Sequence, residues 1–203
     1  MKSEAQSDIR DLKILLIRHG QSEGEERAGE MGPPLTPLGE KQAVSVARKL
    51  REVHFSHIYT SDLSRAYHTA MAIREFHVDT PFTVTEALRE ISRSMILPGR
   101  VKGGWTVRRK NRKRRREIQR FGNQLLQEHA KDGQILIVAH GTLIRFLVAI
   151  LAVELLINST LQKNKRLGVP IVIIKIGFFF YFYRLSKKAW AISKASVDIH
   201  LIQ

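Results

Sequence analysis

The run Leu12-Lys13-Ile14-Leu15-Leu16-Ile17, ending abruptly at Arg18-His19-Gly20, constrains this chain more than any other stretch. A short apolar run bounded by a glycine reads as a buried strand. The end of such a strand fixes His19 at the edge of a sheet. Arg18 beside it supplies a planar cation that can hold phosphate oxygens bidentately. Gly20 permits a sharp backbone exit with no side chain crowding a bound anion.

The rest of the chain alternates strand and helix signals. A Glu- and Gly-rich loop leads to Thr36-Pro37, a cap followed by proline at the first helical position. Ala43, Val46, Ala47 and Leu50 then recur at helical spacing. His57-Ile58-Tyr59 reads as a second strand, and Thr60-Ser61-Asp62 as caps for a helix with Ala66, Ala70 and Ile73 on one side. Phe82 to Thr85 alternates like a third strand, residues 91–104 show no period, and a helix is expected after Trp105 towards Glu128. Gln134 to Ala139 is the fourth strand, and Leu143 to Ile157 an apolar helix. The tail beyond Pro170 reads as strands, with a hairpin turn at Ser186-Lys187-Lys188. This order predicts an α/β three-layer sandwich, a mostly parallel central sheet with helices on both faces. With 203 residues and no repeat, one domain spanning 1–203 is expected, with a polar lead-in over 1–11.

Ligands of parallel sheets collect at the carboxyl ends of the strands. Arg18 and His19 follow strand one, Arg65 lies in the first turn after strand two, Glu90 follows strand three, and His140-Gly141 follows strand four. One sheet edge would gather them all. Two His-Gly pairs at strand ends, among eight histidines, make this convergence more specific than any single motif.

These residues resemble the histidine phosphatase (phosphoglycerate mutase-like) superfamily. The likeness is carried by Leu16-Ile17-Arg18-His19-Gly20, Leu35 to Ala43, Thr60 to Ala66 with Thr69-Ala70, Leu88-Arg89-Glu90 and Ala139-His140-Gly141. The resemblance implies a phosphoglycerate mutase-like fold and metal-independent phosphoryl transfer without a cofactor. It makes His19 the nucleophile, forming a phosphohistidine. Arg18, Arg65 and His140, with Gly141, would hold the phosphoryl oxygens. Glu90 would protonate the leaving oxygen and then activate water, a task that calls for a raised pKa. A phosphomonoester hydrolase is the expected function, with a phosphoglycerate mutase or a non-catalytic polyanion-binding protein as alternatives. Glu25 falls near a place where the family often carries a phosphate-pocket asparagine, so the loop is expected to turn this carboxylate away. Residues 91–105 fit the family pattern poorly, which leaves the small phosphorylated substrate unspecified.

Formal net charge is +15, favouring anionic partners. Much of it lies in Arg108 to Arg116, cationic throughout save Asn111. Charge on every face would exclude an ordinary amphipathic core helix there. Residues 91–120 are therefore expected to form a variable basic insert or cap, solvated or in contact with a polyanion. The apolar runs Leu143 to Ile157 and Val169 to Tyr183 are too short, and too interrupted by Arg145, Glu154 and Lys175, to span a membrane. The lack of cysteine excludes disulfides and thiolate chemistry and fits a cytoplasmic protein.

Overall fold

β1 (Lys13–Arg18) lies beside β4 (Gln134–Ala139) at the centre of a six-stranded sheet, paired in parallel with Arg18 opposite Ala139. The computed structural model describes residues 12–24, 31–92, 95, 105–129, 133–162, 173–177 and 201–202. β2 (His57–Ser61), β3 (Phe82–Thr85), β5 (Ile173–Gly177) and β6 (Leu201–Ile202) complete the order β3-β2-β4-β1-β5-β6, every pairing parallel.

Crossovers between parallel strands are right-handed, so reversing the direction of travel across a sheet moves the helices to its other face. The chain travels one way from β1 through β2 to β3, using α1 (Pro37–Leu50) and α2 (Ser64–Arg74). It returns from β3 through β4 to β5, using α3 (Trp105–Glu128) and α4 (Gly141–Gln162). Alternation along the strands matches this. Leu15, Ile17, Leu136 and Val138 pack with Val46, Leu50 and Ile73 of α1 and α2. Ile14, Leu16, Ile135 and Ile137 pack with Ile118, Leu125, Leu143 and Leu147 of α3 and α4. Each fully buried Leu or Ile contributes about 1.5–3 kcal/mol, so a sheet covered on both faces needs continuous apolar strands. The expected three-layer α/β architecture is what the chain forms.

Local signals were uneven. Thr36 caps α1 as anticipated, its hydroxyl accepting from the Gly39 N–H at 3.0 Å, with Pro37 opening the helix. Thr60-Ser61-Asp62 do not cap α2: β2 runs through Ser61, and α2 starts at Ser64 behind Leu63 with no side-chain cap. Strand pairing with β3 and β4 holds those backbone groups and overrides capping preference. Gly20 also serves a different need from the one expected. A Cβ there would stand 2.4 Å from the Gly39 carbonyl oxygen, and a Cβ on Gly39 would stand 1.9 Å from that of Gln21. The chain leaving β1 thus crosses the first turn of α1 at a spacing that two glycines permit.

The basic tract forms the first half of α3, the helix expected from Trp105 towards Glu128, and that helix has an inner face. Ile118 and Leu125 of that helix are wholly buried, and Asn111, Arg114 and Arg115 lie half-buried on the same side. Helical spacing carries the apolar face of the second half into the first, where arginines with long apolar stems continue it. α4 is longer than expected, yet no helix among the described residues is long and apolar enough to cross a membrane. The hairpin at Ser186-Lys187-Lys188, the lead-in over 1–11 and most of 91–104 lie outside the described residues.

Candidate active site

Strand order assembles the site. β2, β4 and β1 are consecutive in the sheet, so their carboxyl ends set Ser61, His140 and His19 in a row. The His19 N–H bonds the Ala139 carbonyl at 3.0 Å, extending the β1–β4 ladder by one residue. The two imidazoles lie 5.0 Å apart between ring centroids, tilted by 59°.

Both nitrogens of His19 are engaged. Nδ1 donates to the Gly20 carbonyl at 2.6 Å, which leaves the lone pair on Nε2; there Arg65 Nε donates at 3.2 Å. Burial, with the Arg65 and Arg18 charges adding to it, lowers the His19 pKa to about 4, against the upward pull of the Gly20 bond. Burial is also the main cause holding His140 far below the usual imidazole value, with His19, Arg65 and Arg18 reinforcing it. His140 is fully buried, its Nε2 sharing a 3.0 Å hydrogen bond with the Ser61 hydroxyl. Its Nδ1 is buried and has no partner among the described residues.

Arg65, the second residue of α2, is buried, and its backbone is tied to the loop after β1 through Thr69. The Thr69 hydroxyl accepts from the Gly20 N–H at 3.1 Å and donates to the Arg65 carbonyl at 2.7 Å. Gly32, at φ +78°, passes so close that a Cβ there would stand 2.9 Å from Arg65 Nη1. Arg18 is exposed at the end of β1, with Gly141 against its guanidinium, where a Cβ would meet it at 3.6–3.9 Å. A cavity of about 240 Å³ opens beside His19, lined in part by Arg18, Gly20, Gln42 and Thr69. A larger concavity of about 700 Å³ along α1, from Pro37 to Lys49, involves none of these groups.

Glu90 reaches this edge along a different path. β3 ends in a short 3₁₀ helix, Glu86–Leu88, and Glu90 stands exposed just beyond it. Its Oε1 accepts from the Leu143 N–H at 3.1 Å, in the first turn of α4, and from the Ile91 N–H at 3.0 Å. The first N–H groups of a helix have no partner within the helix and are open to such an acceptor. The chain before it is pinned by Arg89, whose guanidinium forks onto the Asp62 carboxylate, Nε at 2.9 Å from both oxygens.

The structure therefore brings Arg18, His19, Arg65, Glu90, His140 and Gly141 to one end of the sheet. Glu25 lies outside the described residues. Sequence reasoning missed Ser61, Asp62 and Arg89. The signal for Ser61 was its place at a strand end, which the capping interpretation obscured; the Asp62–Arg89 pair had no local signal.

Residues 14–95 match the family model of the histidine phosphatase superfamily (branch 1). The "Putative phosphoserine phosphatase 2" of Hydrogenobacter thermophilus is 40% identical over 83 residues, covering 39% of this chain and 40% of that protein. The "Probable phosphoglycerate mutase GpmB" of Cronobacter sakazakii is 40% identical over 67 residues, 32% of this chain and 31% of that one. The matched stretches thus span well under half the length of these curated relatives. Among solved structures, the alpha-ribazole phosphatase from Shigella flexneri superposes with a TM-score of 0.50 at 25% identity, covering 66% of this chain and 77% of that one. A phosphoglycerate mutase from Bacillus anthracis shares the fold at TM-score 0.51 and 20% identity, covering 69% and 80%. With the motif residues gathered at one sheet edge, these matches make residues 14–95 of the chain similar to the histidine phosphatase superfamily (branch 1).

Proposed function

We propose that the protein hydrolyses phosphomonoesters through a phosphohistidine at His19. The observation that carries this reading is the pairing at that ring: Nδ1–H tied to Gly20, and an unprotonated Nε2 facing a guanidinium. Nε2 attacks phosphorus in line while the bond to the alcohol oxygen breaks, and Glu90 gives that oxygen its proton. Water then attacks the phosphohistidine, Glu90 takes the proton, and phosphate leaves with His19 restored. Arg18 and Arg65 hold the equatorial oxygens, and the buried Arg65, already set in place, needs no reorganisation as charge develops. With the Ser61 hydroxyl donating to His140 Nε2, the unpartnered Nδ1–H is left to donate to a phosphoryl oxygen.

Hydrolysis rather than transfer is favoured because Glu90 is open to water. The likeness to an alpha-ribazole phosphatase agrees with this, and the substrate is a small phosphorylated metabolite. All described strands share one sheet, which supports treating residues 1–203 as one domain. The lack of cysteine fits work in the reducing cytoplasm. Phosphate release from a panel of phosphomonoesters, with no bisphosphate added, is the expected result. Turnover that starts only after a bisphosphate primer is supplied would instead identify a mutase.

The outer face of α3 favours an additional polyanion contact. Arg108, Lys110, Arg112, Lys113, Arg116 and Arg120 are all exposed along it. It carries no exposed aromatic among its described side chains, so backbone phosphates rather than stacked bases suit it. Binding to a labelled DNA duplex should weaken steeply with salt, and Lys113→Glu with Arg116→Glu should flatten that slope. An unchanged slope removes this contact from consideration.

A further inference from the structure

Two arginines of the basic tract, Arg114 and Arg115, face inward, and the partners of Arg114 are unusual. Arg114 Nη2 donates to three main-chain carbonyls: Glu86 at 2.8 Å, Ala87 at 3.2 Å and Arg89 at 3.1 Å. Its Nη1 reaches Glu117 Oε2 at 3.3 Å, which fixes the fork on its own helix. Those carbonyls run from the start of the 3₁₀ helix Glu86–Leu88 to its cap Arg89, and the Glu86 carbonyl also accepts from the Arg89 N–H at 3.0 Å. Arg89 is the residue immediately before Glu90, so Arg114 grips the peptide that carries the acid.

We infer that Arg114 is a positioning residue for Glu90, setting how far its carboxyl reaches towards the phosphoryl group. The inference rests on the role proposed above for Glu90. Three supports converge on that carboxylate: the Arg89 fork onto Asp62, the Arg114 grip from α3, and the Leu143 N–H of α4. Of these, Arg114 holds the backbone itself, through a side chain that a single substitution removes. A misplaced acid slows reactions that need its proton and spares those that do not, because general acid catalysis matters most for poor leaving groups.

The test is the rate of phosphoenzyme formation in Arg114→Met, measured with an alkyl phosphomonoester and with p-nitrophenyl phosphate. The first should fall about 10- to 100-fold, and the second, whose leaving group needs no proton, should stay within about 3-fold. Arg114→Lys, which keeps a donor but loses the fork, should lie between Arg114→Met and wild type. In a Glu90→Gln background, Arg114→Met should add nothing further, since the two changes act through one group. Gln127→Ala, at an exposed position of α3, should leave both rates unchanged. Equal losses on both substrates, or additive losses in the double variant, overturn the inference. If Glu90→Gln itself shows no dependence on the leaving group, the proposed role of Glu90 fails instead, and the two failures are thereby told apart.

Discussion

His19→Ala should abolish turnover, by on the order of 10⁴- to 10⁶-fold in kcat, and should leave no phosphate on the protein after denaturing quench with a labelled phosphomonoester. The size follows from what is lost. Arg18, Arg65 and His140 can still collect the anion, but no other described nitrogen combines a free lone pair with a buried position beside two guanidiniums. His140 does not substitute, because its Nε2 is committed to Ser61 and its ring lies at the back of the site. Binding of product phosphate should persist in the variant, or even tighten, since Arg65 Nε is released from its bond to the ring. Label retained on His19→Ala protein would show that phosphate is transferred elsewhere.

The second large effect is on stability in acid. An imidazole whose folded pKa lies near 4, below the ordinary 6.5, binds its proton more readily in the unfolded chain. Stability from this group is fully present above pH 6.5 and is lost progressively as pH falls towards 4. From pH 7.5 to 4.5, His19 alone should lower the unfolding free energy by about 2 kcal/mol. His140, shifted in the same direction by burial and its charged neighbours, adds to the same slope. Urea unfolding across this range should show the loss, and His19→Gln should remove part of it. Bound phosphate should also reduce it, because an anion between the two rings offsets the Arg18 and Arg65 charges that oppose their protonation. A wild-type protein equally stable at pH 7.5 and 4.5 would mean that neither ring is held neutral.

These effects come from residues that the chain places far apart, and they differ in how readily the sequence announces them. The loop after β1 was legible because a strand end, a cation and a glycine are adjacent. The α1 start was legible because Thr36 and Pro37 act within one turn. The inner face of α3 was hidden, since composition counts charges but not which of them meet carbonyls; Arg114 and Arg116 look alike in sequence and face opposite ways. The crossing of Gly20 with Gly39, a contact between distant peptides, was not legible.

Local order, the alternation of strand and helix, and the identities of the groups that could meet an anion were determined by the sequence alone, because strand runs and caps act over a few neighbouring residues. Tertiary structure decided that β4 sits between β1 and β2, and with it that His140 stands beside His19 and against Ser61. It also decided that an arginine of the basic helix holds the chain before Glu90. Pairing order and side-chain direction are set by burying both faces of one sheet at once, a condition that no short stretch of residues can express.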